Sequence, residues 1–403
     1  MKVYQVNVVC GSGSTGRIAA DLSHKISVNG GVCRIGYGRG SAPKHFDAFC
    51  NSKKNEVRTH ALMTRITGKQ GEFSKNATKR LIEDIKQFEP DIIHLHNIHG
   101  YYLNYPSLFQ FLKEYEKPVV WTMHDCWAIT GHCAHYESVS CDKWQKQCFD
   151  CPNLKAYPAS YTGRNVASNF KKKKEIFSGL EQLIIVTPSM WLKEQIRHSF
   201  LKDTKVINIP NGIDLELFKP TESKIKEQFC PNGEKLLLGV TSVWTKNKGL
   251  NDFIKLSDII GDGYVICLVG LSKKQIRQLP KSIVGIEKTE SISQLAQYYT
   301  AADLFLNLTY EDTFPTTNIE SIACGTPVLT YKTGGSPEII NEHCGFVVEK
   351  GDITGVKRIV TTQLQDKTYY EKACLKRATE FQKEDCYQRY IELYEEILRS
   401  KKG

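Results

Sequence analysis

The sequence has no apolar run that approaches the roughly 20 residues needed to cross a bilayer, which excludes a membrane-spanning helix as an organising element. It has no internal repeat and no low-complexity segment, so a solenoid or fibrous array is excluded. An excess of acid is also lacking: 54 Lys and Arg stand against 44 Asp and Glu, a net charge of +10. Yet no RNP-like or zinc-finger spacing would place side chains in a nucleic-acid groove, so no nucleic-acid partner is expected. The basic residues are dispersed, with concentrations at Lys171–Lys174 and at Arg399, Lys401 and Lys402. The lysine run reads first as a solvated helix face. Its alternative is weak peripheral attraction to anionic lipid, about 1 kcal/mol per basic residue near the surface. The amino terminus, Met1–Cys10, has too short an apolar stretch for a signal peptide and runs into a Gly-rich loop. The expected location is the cytoplasm, including the inner face of the membrane, and in that reducing compartment the fourteen cysteines are read as thiols.

What is present is an alternation of short apolar strands and helical stretches over 403 residues, long enough for two α/β domains with full cores. Strands are predicted at Val3–Val9, Val32–Tyr37, Ile92–Leu95, Val119–Thr122, Leu183–Val186 and Val206–Ile209. A second series follows at Leu236–Val240, Val265–Val269, Ile283–Ile286, Leu304–Leu308, Val328–Thr330 and Phe346–Val348. Between them, Pro210–Glu234 has the composition of a linker, which sets the boundary near residue 210. The spacing predicts a helix over Asn76–Phe88, capped by Asn76, and another over Ile18–Val28. A carboxyl-terminal helix carries the stripe Tyr387, Tyr390, Ile391, Tyr394 and Ile397.

Residues 308–339 hold the densest chemistry. Asp312 and Glu320 lie eight positions apart, the first in the loop after a strand and the second on the following helix, which Thr316 or Thr317 can cap. Gly325-Thr326-Pro327 ends that helix, and Gly334-Gly335 opens another loop at the same sheet edge. Ligands of open parallel sheets bind at this edge, and helix amino termini there favour phosphate. Two carboxylates, a phosphate-friendly helix start and a Gly-Gly loop suit a nucleotide-sugar.

The segment resembles the donor site of glycosyltransferase family 4, the retaining enzymes of GT-B fold. The matching features are Asp312, Glu320, the turn Cys324–Val328 and the loop Gly334-Gly335-Ser336-Pro337-Glu338. The resemblance implies two doubly wound Rossmann-like domains facing a central cleft. These would be an acceptor-side domain over 1–209, joined by the last helix from about 384 to 403, and a nucleotide-sugar-binding domain over 210–383. It implies sugar hydroxyls on Asp312, ribose on Glu320, and Glu338 supporting the Gly-Gly loop. The family usually has Glu at the position of Asp312, and the neighbouring Glu311 is an alternative.

The loop after the first strand carries Gly11, Gly13 and Gly16 in the spacing of a dinucleotide fingerprint. The second strand, however, ends Gly36-Tyr37-Gly38-Arg39, without the ribose-binding carboxylate. By resemblance, Gly13 and Gly16 approach the sugar diphosphate instead. Lys248 matches the family's diphosphate lysine before glycine, the usual arginine is absent near Val243, and Lys246 could replace its charge. His124, at the end of the strand Val119–Met123, matches the histidine that faces the donor sugar. His94, His96 and His99 precede the loop Gly100–Asn104, so His96, Asn97 and Tyr101 are expected to wall the acceptor site. Asn211 belongs to a matching NG-x-D turn on the acceptor side.

Five cysteines fall between residues 126 and 151 in a segment, about 126–152, with little strand or helix pattern. Cys133, Cys141, Cys148 and Cys151 have separations that can converge on tetrahedral zinc, with His132 and His135 as alternative ligands. Structural zinc, unliganded thiols and redox chemistry are the three readings.

The expected activity is hexosyl transfer from a nucleoside diphosphate sugar to a carbohydrate acceptor, such as a lipid-linked oligosaccharide, in capsule or exopolysaccharide assembly. No cofactor is expected for catalysis, since cations and backbone can stabilise the leaving diphosphate and no D-x-D motif stands beside a strand. Two competing classes are a GT-B sugar-nucleotide epimerase, which would turn over donor without acceptor, and a non-catalytic carbohydrate-binding protein.

Overall fold

Short apolar runs form parallel strands throughout, and those at the sheet centres are rich in Val, Ile and Leu and buried on both faces. The computed structural model describes residues 1–400; Lys401, Lys402 and Gly403, the end of the predicted basic cluster and of the predicted last helix, lie outside the described residues. The chain divides into two compact units, one of Met1–Pro210 with the segment from Glu384, the other of Asn211–Lys383.

The first unit contains β1 (Lys2–Asn7), β2 (Val32–Tyr37), β3 (Ala48–Cys50), β4 (Ile92–Leu95), β5 (Val119–Thr122), β6 (Leu183–Thr187) and β7 (Lys205–Asn208). They make one parallel sheet in the order β3-β2-β1-β4-β5-β6-β7. The period-2 alternation of the strands feeds two cores. Tyr4, Ile93, Val119 and Trp121 face one, while Val3, Ile92, Val120 and Val186 face the other. The helix Gly13–Val28 and the last helix, Lys383–Ser400, cover the second face through Ile18, Leu22 and Ile26 and through Tyr387, Tyr390, Ile391, Tyr394 and Ile397.

The second unit contains β8 (Lys235–Val240), β9 (Tyr264–Val269), β10 (Ile283–Ile286), β11 (Leu304–Asn307), β12 (Val328–Tyr331) and β13 (Gly345–Val348). Its parallel order is β10-β9-β8-β11-β12-β13. In both sheets the strand order reverses once, between β1 and β4 and between β8 and β11. Those switch points are where a doubly wound sheet opens a crevice at the carboxyl ends of its strands.

Several local expectations are corrected. The helix expected from Asn76 runs over Lys75–Phe88, with Ser74 at its cap position in a left-handed conformation, so Asn76 lies inside it. The helix expected from Ile18 begins at Gly13, because the Gly-Ser-Thr stretch itself forms the first turn. Pro210–Glu234 is no free linker: Ile213, Phe218 and Cys230 are buried in the second core, and Ile225–Phe229 is a short helix. Lys171–Lys174 is not a uniformly solvated face. Lys171 and Lys174 are exposed and Lys172 pairs with Glu72 at 2.5 Å, but Lys173 is fully buried. All fourteen cysteines are free thiols.

Candidate functional site

In the second unit, the loops that leave β8 and β11 are fastened together at the switch point. The Tyr310 N–H donates to Asn247 O at 2.8 Å, and Thr309 Oγ1 donates to the same carbonyl at 3.3 Å. Gly249 has φ of +80°, and a Cβ there would sit 2.1 Å from Leu308 O. This lacing brings Lys248 Nζ to 2.8 Å from Asp312 Oδ2. Asp312 Oδ1 accepts the Phe314 N–H at 3.2 Å, which fixes its direction. Glu311 does not take the lysine by its carboxylate: only its carbonyl lies within 3.5 Å of Lys248 Nζ, and its Oε2 is buried without a protein partner.

The helix Thr316–Ala323 begins beside this pair. Pro315 occupies its cap position and no side chain caps it, so neither Thr316 nor Thr317 is the predicted cap; the two threonines are half-exposed in the first turn. The proline's fixed φ starts the helix without a capping hydroxyl. No acidic residue lies in that turn. Glu320 is 5 % exposed, and its Oε2 accepts Tyr299 OH at 2.9 Å. Beyond β12, Gly334 and Gly335 lead into the helical turn Ser336–Ile339. Arg377 secures that turn by donating to the carbonyls of Glu338 and Ile339 at 2.6 and 2.9 Å. Three buried polar atoms at this edge, Asn318 Nδ2, Thr333 Oγ1 and Ser336 Oγ, have no partner within the protein. Lys246 is exposed, in the same turn as Lys248.

In the first unit, the loop after β1 closes through Gly11 N–H to Gly16 O at 3.0 Å. A Cβ on Gly16 would lie 2.9 Å from Val9 Cγ2, so a side chain there would push the loop from the sheet, while Gly13 is exposed. At the ends of β4 and β5 stands a histidine stack, His94 on His96 at 4.2 Å and His96 on His124 at 5.4 Å between ring centres. Gln5 donates its amide to Ala19 O at 2.9 Å, so its Oε1 accepts His96 Nε2–H at 2.8 Å. His96 Nδ1 is then the acceptor for His124 Nε2–H at 3.1 Å. Burial holds His124 down to about 4 and His94 to about 3, and drives His96 well below its ordinary value. The stack is neutral near pH 7 and works by hydrogen bonds, not charge.

The sequence did not reveal a second arrangement beside it. His99 Nε2 lies 2.7 Å from Asp125 Oδ2, and His99 Nδ1 lies 3.2 Å from Tyr157 OH. Burial would raise the Asp125 carboxyl, but His99, His135 and the Trp127 N–H bond, in that order, overcome it and hold it at about 2. Asn97 N–H reaches Asn7 Oδ1 at 3.3 Å, and Tyr101 is half-buried at φ +69°. Asn211 is buried in the second unit, in a turn whose Asp214 pairs with Lys383 at 2.7 Å.

Comparison with known proteins gives two family matches: "Glycosyl transferases group 1" over residues 221–381 and "Glycosyltransferase Family 4" over residues 37–217. The chain belongs to glycosyltransferase family 4. The transferase is 22 % identical over 368 residues to the putative colanic acid biosynthesis glycosyl transferase WcaC of Escherichia coli (strain K12), covering 88 % of each chain. It is 25 % identical over 244 residues to the N,N'-diacetylbacillosaminyl-diphospho-undecaprenol alpha-1,3-N-acetylgalactosaminyltransferase of Campylobacter jejuni, covering 56 % of this chain and 62 % of that one. Among solved structures, Anabaena Alr3699/HepE in complex with UDP-glucose matches with a TM-score of 0.66 at 15 % identity, covering 98 % of this chain and 100 % of that one. The transferase has the GT-B fold. No helix of the described residues is long and apolar enough to cross a membrane.

Gly249 offers a test of how the transferase builds its switch-point loop. Gly249→Ala forces an L side chain to a left-handed φ and into the Leu308 carbonyl, and is expected to cost about 1–3 kcal/mol of stability. Denaturant unfolding reads this directly, and an unchanged midpoint would mean the loop moves freely.

Proposed function

We propose that the transferase moves a hexosyl group from a nucleoside diphosphate sugar to a hydroxyl of a carbohydrate acceptor, with retention of anomeric configuration, during bacterial surface-polysaccharide assembly. The observation that carries this reading is the meeting of Lys248 and Asp312 at the β8/β11 switch point, beside an uncapped helix start free of acid. A cation and backbone N–H groups directed at one place offset the charge that grows on a leaving diphosphate. In the proposed donor complex Lys248 turns from Asp312 to the diphosphate, and the carboxylate accepts from sugar hydroxyls. Glu320 serves the ribose with the lone pairs that its Tyr299 bond leaves. Gly334, Gly335 and the hydroxyls of Thr333 and Ser336 line the same edge, and exposed Lys246 supplies a second cation.

In the front-face step, the bond between the anomeric carbon and the phosphate oxygen breaks as the acceptor oxygen bonds on the same face. The acceptor proton passes to the departing phosphate oxygen, so no side-chain base is required. The neutral His124, with His96, Asn97 and Tyr101, is assigned to hydrogen bonding of sugar hydroxyls. The name of the Campylobacter relative supports a lipid-linked acceptor, and that of WcaC supports polysaccharide assembly. UDP-hexoses are the first donors to try, because the Anabaena neighbour holds UDP-glucose.

A thermal-shift screen across nucleotide-sugars should identify the donor, and NMR of the product should show its anomeric configuration kept. An inverted product removes the retaining mechanism. Donor conversion at full rate without acceptor favours the epimerase.

A further inference from the structure

We propose that Cys133, Cys141, Cys148 and Cys151 bind one zinc ion as a four-thiolate site, and that the buried Lys173 is its counter-charge. This goes beyond the transferase reading and stands or falls without it. The four thiols line a single cavity with Trp144 and His132. The segment around them has three short 3-10 turns, Trp127–Ile129, Glu137–Val139 and Lys143–Gln145, and neither strand nor α-helix.

Donors and a cation stand around the cavity. Asn153 N–H reaches Cys151 Sγ at 3.4 Å, and the Gly131 N–H is bonded to Cys148. Trp144 is 2 % exposed, and its indole N–H finds no acceptor in the protein. Lys173 is fully buried, donating to Trp127 O at 2.6 Å and Thr130 O at 3.0 Å and lying 3.5 Å from the centre of the Trp127 ring. Burial pulls the Lys173 ammonium down to about 7, and Cys148, Cys133 and Asp125, in that order, work against that shift and favour its charge. Two carbonyls and the Trp127 ring already serve the ammonium, and thiolates on the neighbouring cysteines would add the opposite charge that offsets its burial. Zinc held by four thiolates bears a net charge of −2, and Lys173 reduces that to −1 while N–H groups serve the sulfurs.

His132 is excluded as a ligand: its Nδ1 accepts from Gln70 at 2.7 Å and its Nε2 donates to Leu154 O. His135 does not line the cavity. As the side chains stand, no group of three or more His, Cys, Asp or Glu among the described residues is placed to hold a metal ion. The thiols share the cavity, with Cys133 and Cys151 hydrogen-bonded to each other, and closing around zinc takes side-chain rotation and the release of four protons.

The test uses the full chain, purified without chelator or metal-affinity column. Elemental analysis is expected to find about one zinc per chain. Peptide mass spectrometry should show the four cysteines shielded from alkylation until a strong chelator is added, then reacting together. Lys173→Met is expected to hasten zinc loss to a chelator several-fold. Cys148→Ser with Cys151→Ser should abolish zinc binding; should that variant fail to fold, the wild-type alkylation pattern decides. Protein with well under one zinc, which takes up none under reducing conditions and whose thiols alkylate equally with and without chelator, overturns the proposal. A Cys133–Cys151 disulfide in the native protein overturns it too.

Discussion

Lys248→Ala is expected to lower glycosyl transfer roughly tenfold to a hundredfold, the 1.5–3 kcal/mol of a lost hydrogen bond to a charged group, with little change in stability. The two halves of that expectation rest on different observations. Lys248 and Asp312 are about one-third and one-quarter exposed, and ion pairs that water reaches contribute about 0–1 kcal/mol to folding. Turnover should suffer more, because the variant removes a cation from the leaving diphosphate and leaves Asp312 unneutralised beside it. Asp312→Asn keeps an oxygen for the Phe314 N–H and so keeps the loop, yet is expected to lose roughly tenfold in turnover, about 1.4 kcal/mol. Glu320→Gln should lose a similar factor, while Tyr299 OH retains an acceptor. Because Lys248 and Asp312 touch, the double variant should lose less than the sum of the two. Calorimetry showing unchanged nucleoside diphosphate affinity in Lys248→Ala would reject the lysine's role, and the same titration of Lys246→Ala shows whether it supplies the missing arginine's charge.

The sheet was legible because strands buried on both faces read as unbroken apolar runs. Every predicted strand is present, and β3 escaped because Ala48-Phe49-Cys50, at the sheet edge, is too short a run to show a period. Asp312 and Lys248 were legible as single positions, but their contact depends on β8 and β11 being neighbours, which no spacing states. The same holds for His99 and Asp125, which follow the adjacent strands β4 and β5. Lys173 was legible in principle. Val166, Asn169, Phe170, Lys173 and Phe177 share one helical face, and the run of four lysines hid that periodicity. The helix starts were misread because a capping side chain is only one way to begin a helix; Pro315 and Ser74 do so by backbone conformation.

Acid should unfold the first unit well before the second. Burial holds His60, His132 and His124 down to about 4 and His94 to about 3, all below the ordinary 6.5. As the pH falls below 6.5 the unfolded chain takes up protons that the folded one refuses until near 4, so stability is present above 6.5 and is lost through that window. Each such histidine contributes about 1.4 kcal/mol per pH unit. Counting the stacked His94, His96 and His124 as one titrating unit beside His60 and His132 gives about 4 kcal/mol per pH unit, against total stabilities of about 5–15. The second unit has one histidine, the exposed His343. Thermal melts from pH 7 to pH 5 should therefore separate into two transitions, the lower one moving steeply. His60→Phe keeps a ring against Phe73 and Tyr101 and removes one titrating group, so it should reduce the slope by about 1.4 kcal/mol per pH unit. A first transition that stays put between pH 7 and pH 5 would mean these histidines are hydrated enough to protonate in the folded protein.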